Sequence, residues 1–179
     1  MTINDNDIIK TLNASRETGI RMLLSKYQEP LYWHIRRLVV SHDDAQDATQ
    51  ETFVRMFLSL EQFRGDSSLR TWLYRIATNE ALRLIGKRRQ ETISLDSVTT
   101  GVDIIASDNY VDYADKLAVK LQKAILTLPP KQQLAFNLRY YDEHGFDEIA
   151  KIADSTATSI KASYHIAKDK IIKYMNSND

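Results

Sequence analysis

Basic side chains, an amide and aromatic rings are concentrated between residues 63 and 89 of the 179-residue chain. Arg75, Asn79 and Arg83 recur every four residues, so a helix would place them along one face. Arginine neutralises phosphates, asparagine can hydrogen-bond to a base edge, and aromatic rings can stack on an unpaired base. This combination indicates nucleic-acid binding. The alternative is an ordinary amphipathic helix with a solvated basic face.

The positive charge of this segment is local. The whole chain has 24 basic and 24 acidic residues and therefore no net charge. Between Arg64 and Arg89, however, there are seven basic residues and only two acidic ones, Asp66 and Glu80. A local excess of this kind is the electrostatic footprint expected of a phosphate-binding surface.

A turn followed by a helix is predicted to position these side chains. Residues 64–68 contain a glycine and small polar residues, which favour turns and helix caps. Apolar residues at three- and four-residue spacing then predict a buried stripe. They are Leu69, Trp72, Leu73, Ile76, Ala77 and Leu84. Since Trp72 lies on this stripe, it is predicted to belong either to the core or to the nucleic-acid surface.

The segment before this turn is predicted to be helical throughout. A helix runs from Asp7 to about Gln28 with an interruption near Gly19, and Pro30 begins a second helix. Arg36 and Arg37 in that second helix are predicted to be solvated. A further helix starts at Ser41 and reaches about Phe63. Its predicted buried residues are Ala45, Ala48, Phe53, Met56, Phe57 and Leu60, and its predicted polar surface carries Asp47, Gln50 and Glu51.

The composition changes after Arg89. From Glu91 to Asp115 there are six acids and no lysine or arginine, which is typical of a flexible linker. Helices are predicted beyond it, one ending at Pro129-Pro130, one from Lys131 to about Tyr141, and a short one from Phe146 to Ala153. After a turn at residues 154–156, a last helix buries Ile160, Tyr164, Ala167 and Ile171. A short helix, a three-residue turn and a longer helix form a helix-turn-helix pattern, so we predict an all-α protein of two small helical domains.

Several classes of function are disfavoured by what the chain lacks. It has no cysteine for a disulfide or a thiolate metal site, no signal peptide and no membrane-spanning stretch, so we expect a cytoplasmic protein without membrane insertion. The four histidines are scattered, and no phosphate-binding loop or nucleophile motif occurs, so no enzyme, catalytic residue or cofactor is predicted. Carboxylates at Asp43, Asp47 and Glu51 raise the alternative of a metal site. A solvated acidic face is favoured instead, because the Glu-x-x-His motifs of carboxylate-bridged metals are absent, and no metal ligand is predicted.

Three stretches resemble the extracytoplasmic-function sigma factors of the sigma-70 family. The loop and helix that recognise and open the promoter −10 element resemble FRGDSSLRTWLYRIATNEALR. The segment that docks on the clamp helices of the largest polymerase subunit resembles DAQDATQETFVRMF. The C-terminal domain that reads the −35 element resembles LPPKQQLAFNLRYYDEHGFDEIAKIADSTATSIKASYHIAKDKI. The resemblance implies a region 2 domain at residues 1–90, an acidic linker at 91–114 and a region 4 helix-turn-helix domain at 115–179.

Carried over by position, the resemblance implies three sets of site residues. The −10 set is Phe63, Arg64, Asp66, Ser67, Ser68, Trp72, Arg75, Asn79, Arg83, Lys87 and Arg88, with the 64–68 loop capturing a flipped base. The −35 set is Ser155, Thr156, Thr158, Ser159, Lys161, Ser163, His165 and Lys168. The polymerase-binding set is Asp47, Gln50, Glu51, Phe53 and Phe57.

The implied function is a sigma factor that binds core RNA polymerase and directs promoter-specific initiation, recognising the −10 and −35 elements and helping to melt DNA. Its implied partners are the clamp helices of the largest polymerase subunit, the flap of the second-largest subunit, promoter DNA, and an anti-sigma factor or a DNA-bound recruiting protein. The rival hypothesis is an ordinary helix-turn-helix repressor. That hypothesis leaves the N-terminal half of the chain without a role.

The recognition helix departs from its family because it offers no arginine for guanine, the commonest specific contact to DNA. Thr158, Ser159 and Ser163 can each hydrogen-bond to several bases. We therefore expect weak −35 recognition. The alternative is that Lys161, His165 and Lys168 suffice together with readout of DNA shape.

Overall fold

The computed structural model describes residues 2–93 and 116–177, and the regular elements in these ranges are all helical. They are α1 (Asp5–Ala14), α2 (Arg16–Val39), α3 (His42–Ser59), a 3₁₀ turn (Leu60–Gln62), α4 (Leu69–Ile93), α5 (Lys116–Leu126), α6 (Pro130–Tyr140), α7 (Phe146–Ala153) and α8 (Ala157–Met175). The all-α fold class is confirmed. Helix α4 extends to Ile93, and the rest of the predicted linker, 94–114, lies outside the described residues. We refer to residues 2–93 as the N-terminal module and to residues 116–177 as the C-terminal module.

Polar side chains cap the starts of three helices. Asn4 accepts a hydrogen bond from the amide of Asn6, Ser41 from that of Asp44, and Thr156 from that of Ser159. Each cap satisfies one of the amide groups that have no partner in the first turn of a helix. The start predicted at Ser41 is thereby confirmed.

Helix α2 corrects two predictions about the N-terminal module. The chain breaks at Ser15 rather than near Gly19, and α2 continues through Pro30. A Cβ atom added to Gly19 would lie 2.6 Å from the backbone nitrogen of Leu12, so this glycine allows α1 and α2 to pack closely. Proline inside a helix costs about 3 kcal/mol. Burial of Leu31 and Ile35 just beyond it offsets this cost, at about 1.5–3 kcal/mol for each side chain.

Helices α1 to α4 form the core of the N-terminal module. Its fully buried residues include Ile8, Leu23, Leu31, Ile35, Met56, Leu69, Leu73 and Tyr74. Two predictions about exposure are wrong here. Arg36 is only 2% exposed and the Arg37 side chain 17%, so neither arginine is solvated. Phe57 is 46% exposed instead of buried, and the Arg16 guanidinium lies 4.9 Å from its ring centre.

Helices α5 to α8 form the C-terminal module, with α6 and α5 packed against the long α8. One apolar cluster contains Ala124, Ile125, Leu128, Phe136, Ala167 and Ile171. Asp154 ends α7 with φ 51° and ψ 56°, a left-handed conformation that aspartate tolerates. The helix-turn-helix pattern is confirmed, and the predicted inward residues of α8 are buried except Tyr164, which is half-buried.

The two modules are in contact. Helix α4 packs against α7, and α2 packs against α6. Leu134, Leu138 and Ile149 of the C-terminal module belong to the same apolar cluster as Leu31 and Ile35 of the N-terminal module. Among the helices of the described ranges, none has the length and apolar character needed to cross a bilayer.

Candidate nucleic-acid and polymerase interfaces

The loop before α4 is open and precedes a well-capped helix. Gly65 has φ 78°, and a Cβ atom there would meet nothing within 4 Å. Ser68 accepts a hydrogen bond of 3.1 Å from the amide of Thr71, which fixes the start of α4. Phe63 is half-buried, and its ring lies 5.0 Å from that of Trp72. Both rings of this aromatic pair are therefore only partly covered.

A cavity of about 490 Å³ lies next to this loop. It is lined by Ile9, Leu12, Asn13, Arg16, Leu60, Glu61, Phe63, Arg64 and Gly65. The sequence prediction missed the contribution of α1, because nothing in the periodicity of α1 says which element it packs against. The cavity lining combines apolar side chains with an amide, Asn13, and three charged side chains, Arg16, Glu61 and Arg64. Such a mixed lining can hold a nucleobase by contact and by hydrogen bonds.

The outer face of α4 carries the predicted row of DNA-binding residues. Arg75, Asn79 and Arg83 are exposed, as are Lys87 and Arg88. Of the loop residues, Arg64, Asp66 and Ser68 are exposed, and Ser67 is half-buried like Trp72. The structure thus brings the predicted −10 set together along one helix face and its preceding loop.

A buried carboxylate organises this face. Glu80 is 5% exposed and accepts two hydrogen bonds from Arg83, of 2.8 and 3.1 Å. Its other oxygen is paired with Arg55 of α3, which also lies 3.6 Å from Glu51. Arg88 pairs with Asp44 of α3 at 2.7 Å. A buried charge is costly unless it is paired, so the ion pairs of Glu80 hold Arg55 and Arg83 in place.

Helix α3 presents the predicted polymerase-binding side chains. Asp47 and Gln50 are exposed, Glu51 and Phe53 are half-buried, and Phe57 is exposed. A groove of about 810 Å³ runs between α2 and α3. Its lining comprises Leu24, Ser25, Gln28, Glu29, Tyr32, Trp33, Arg36, His42, Gln46, Thr49 and Gln50. The sequence prediction missed the α2 side of this groove, and also the exposed apolar side chains of Val54 and Leu58.

Carboxylates on α3 had also raised the alternative of a metal site. Within residues 2–93 and 116–177, no group of three or more histidine, cysteine, aspartate or glutamate side chains is placed to hold a metal ion.

Helix α8 presents a face with little charge. Thr158, Lys161, His165 and Lys168 are exposed, and Thr156 caps the helix at its exposed start. Ser155, Ser159 and Ser163 are half-buried. Lys131 of α6 donates a hydrogen bond of 2.5 Å to the Ser159 hydroxyl, which adds a cation that the sequence prediction did not include.

Two family models match the chain. Residues 23–91 match the model of Sigma-70 region 2, and residues 118–171 match that of Sigma-70, region 4. The first match contains the groove, the loop and the face of α4, and the second contains the helix-turn-helix. The chain belongs to the sigma-70 family. The resemblance seen in the sequence is therefore confirmed.

The curated relatives indicate the class of sigma factor. The chain is 25% identical over 178 residues to the RNA polymerase sigma-H factor of Pseudomonas aeruginosa, covering 94% of this chain and 92% of the relative. It is 26% identical over 178 residues to the ECF RNA polymerase sigma-E factor of Haemophilus influenzae, covering 94% of each. These matches span nearly the whole chain, so the sigma factor is of the extracytoplasmic-function class.

Solved structures share the fold. The sigma factor RpoE of Bartonella quintana, in complex with the anti-sigma factor NepR, has a TM-score of 0.71 and 20% identity, with 89% of this chain and 98% of that chain covered. CnrH, in complex with the cytosolic domain of CnrY, also has a TM-score of 0.71, at 15% identity, with 98% and 99% covered.

A sigma factor directs promoter-specific initiation of transcription by RNA polymerase, so this chain acts on promoter DNA together with that polymerase. Sigma factors are non-catalytic initiation factors. The predicted function is confirmed at this level.

Proposed function

We propose that this sigma factor uses its N-terminal module to hold core polymerase and to melt the −10 element, and its C-terminal module to read the −35 element. The observation that carries the proposal is the exposed row of Arg75, Asn79 and Arg83 beside the open 64–68 loop. We assign residues 1–90 to the first task, 91–114 to a linker and 115–179 to the second. Neither module is assigned a catalytic residue or a cofactor.

The −10 module combines backbone and base contacts. Asn79 is the candidate for reading a base edge, and Arg75, Arg83, Lys87 and Arg88 contact phosphates. The 64–68 loop captures a flipped base, which enters the neighbouring cavity between the loop and α1. Support comes from the mixed apolar and polar lining of the cavity and from the half-buried Phe63 in that lining, whose ring lies beside that of Trp72.

The polymerase-binding surface lies on α3. Asp47, Gln50 and Glu51 contact the clamp helices of the largest subunit, with Phe53 and Phe57 beside them. Carboxylates would be repelled by DNA phosphates, which favours a protein partner here. The adjoining groove between α2 and α3 gives this surface the concave, mixed polar and apolar character that suits a partner helix. The flap of the second-largest subunit is assigned to the C-terminal module.

The C-terminal module binds the −35 element weakly through Ser155, Thr156, Thr158, Ser159, Lys161, Ser163, His165 and Lys168. Free amides at the start of α8 can hold a phosphate, but the helix has no arginine for guanine. Promoter choice then depends on the −10 module or on a DNA-bound protein that recruits the sigma factor. We also propose a cytoplasmic location and control by an anti-sigma factor, since one of the similar structures is a complex of a sigma factor with an anti-sigma factor.

Run-off transcription with core polymerase and a library of genomic promoters tests the central proposal. The wild-type protein should select a subset of promoters, and the triple variant Asp47→Ala, Gln50→Ala, Glu51→Ala should lose transcription through failed holoenzyme assembly. Pull-down with core polymerase measures assembly directly, and circular dichroism checks that the variant is folded. Absence of initiation from every promoter, or absence of polymerase binding by the wild-type chain, would contradict the proposal.

A further inference from the structure

The outward face of α8 carries a row of side chains with exposed methyl groups. Ile160 and Ala167 on the inner face of this helix are buried. At 3.6 residues per turn, Ala162 lies about 200° around the helix axis from Ile160 and therefore on the opposite face. Thr158 precedes Ala162 by four residues and Ile166 follows it by four, and all three residues are exposed. We call these three residues the outward row.

The outward row offers mainly apolar contacts. Ile166 is 47% exposed, although isoleucine is one of the residue types most often found buried. Ala162 and Ile166 have no hydrogen-bonding group in their side chains, and Thr158 combines a hydroxyl with a methyl group. At a rise of 1.5 Å per residue the row is about 12 Å long, which is about the width of the major groove of DNA. Neither Ala162 nor Ile166 was in the predicted −35 set.

The serine hydroxyl groups of α8 lie beside the row, on the side of α6. Lys131 of α6 donates a hydrogen bond of 2.5 Å to the Ser159 hydroxyl. On the same side of α8, Lys170 donates a hydrogen bond of 3.1 Å to the side chain of Gln132 of α6. Ser163 lies between these contacts and is half-buried. The hydroxyl groups of both serines are therefore turned toward α6 and away from the most outward face.

Exposed lysines flank the outward row on both sides. They are Lys131 and Lys170 on the side of α6, and Lys161 and Lys168 on the other side. The phosphate backbones of DNA run along both edges of the major groove, so a helix with its outward row toward the bases has cations near each backbone. Asp169 lies about one turn beyond Ile166 on the same face. Its carboxylate would be repelled by phosphates, which ends the contact surface near Ile166.

Methyl groups at the floor of the major groove identify thymine. Each A·T pair presents the C5-methyl group of thymine there, and apolar side chains distinguish thymine by contact with it. Burying one methyl group increases a binding constant about fourfold. We infer that Thr158 and Ile166 are specificity-determining residues, which read thymine in the −35 element through its C5-methyl group. The inference rests on the proposed reading of the −35 element by the C-terminal module.

Replacement of thymine by uracil tests the inference, because uracil lacks the methyl group and keeps the O4 acceptor. The DNA is a promoter that the holoenzyme selects in run-off transcription, and its −10 element stays unchanged. Each thymine of the −35 element, on either strand, is replaced in turn, and competition binding to the wild-type holoenzyme is measured. Binding should weaken about fourfold for each contacted thymine. Uracil in the spacer is the control and should have no effect.

Three protein variants assign the effect to the outward row. Ile166→Ser removes the apolar contact, so thymine and uracil should bind equally at one of the sensitive positions. Thr158→Ser removes a methyl group but retains the hydroxyl, and it should abolish the difference at another position. Ile172→Ser is the matched control, because Ile172 is 48% exposed on the same helix but lies about 9 Å beyond Ile166. This control should keep every difference between thymine and uracil, and circular dichroism checks that all variants are folded.

The possible outcomes separate this inference from the proposed function. Equal binding of thymine and uracil promoters by the wild type would overturn the inference, as would selected −35 elements without thymine. Wild-type discrimination in both folded row variants would overturn it as well. If Ile166→Ser lost core polymerase binding and kept the discrimination, the row would bind protein instead of DNA. Failure of the wild type to initiate from any promoter would contradict the proposed function and the inference with it, whereas initiation that tolerates uracil would contradict the inference alone.

Discussion

The faces of α4 and α8 differ in whether ion pairs fix their basic side chains. Both are exposed helices in modules to which we assign DNA binding. On α4, Arg83 is fixed by the buried Glu80 and Arg88 by Asp44, so two cations are positioned before DNA arrives. On α8, the predicted −35 set contains two exposed lysines, Lys161 and Lys168, and neither forms an ion pair with an acid within the described residues. Pre-positioned groups lose less side-chain freedom on binding. We therefore expect the N-terminal module to dominate promoter binding.

Scrambling one promoter element at a time is the most severe test of this comparison. We expect scrambling of the −10 element to reduce run-off transcription at least tenfold more than scrambling of the −35 element, because α8 provides no arginine for guanine. Transcription from both scrambled promoters is measured with the same holoenzyme, and a promoter with a scrambled spacer is the control. Equal losses would remove the difference between the two faces.

Base reading by Asn79 can be compared with that by Thr158. Asn79→Ala should relax preference at one −10 position by about 1–3 kcal/mol if the amide makes a bidentate contact with a base. Thr158→Ala, an exposed polar residue near the start of α8, should change preference in the −35 region by less. Binding of holoenzyme to promoters with every single-base change measures both. A larger effect from Thr158→Ala would reverse the comparison.

The buried Glu80 offers a way to sharpen the electrostatic difference. Glu80→Gln removes a negative charge from the DNA-binding face, while its amide oxygen can still accept a hydrogen bond from Arg83, so affinity for all DNA sequences should increase several-fold. The slope of log affinity against log salt should steepen by about 0.9 for each additional phosphate contact.

Two variants serve as controls for this measurement. Arg83→Ala should lower affinity for all sequences alike, because its partner is a phosphate. Asp169→Asn removes a charge from the exposed surface of α8 and should change the slope less. Unchanged affinity and slope in Glu80→Gln would show that the charge of Glu80 does not limit phosphate contacts on this face.

The pH dependence of stability gives the smallest expected effect and concerns the C-terminal module. Burial lowers the pKa of His144, and Arg70 lowers it further, although Glu148, at 2.9 Å, and Asp142 raise it. Tyr74 also packs on the ring. The unfolded histidine, with a pKa near 6.5, takes up a proton before the folded one does, so stability should fall as the pH decreases below about 6.5.

Thermal unfolding at pH 7.5 and pH 5.5 measures this effect, which should be on the order of 1 kcal/mol. A His144→Gln variant should lose the part of the pH dependence of stability that comes from His144 and retain the part that comes from other groups. The same dependence in the variant and the wild type would show that His144 does not titrate on unfolding.

The sequence by itself determined most of the helices and the exposed face of α4. The spacing of Arg75, Asn79 and Arg83, the cap at Ser41 and the turn at residues 154–156 depend on a few neighbouring residues. Local periodicity and capping therefore predicted them, and the resemblance to sigma factors rested on three such stretches. The predictions at Gly19 and Pro30 failed because packing with a neighbouring helix outweighed the local preference for a break.

Only the tertiary structure decided which polar side chains are buried together. Arg37 and Asp142 are far apart in the chain, as are Arg55 and Glu80, and no periodicity links the members of either pair. No periodicity predicts the cavity that α1 forms with the 64–68 loop either. Each of these features depends on which helix faces which, a choice fixed by the summed burial of apolar surface over the whole chain rather than by any local pattern.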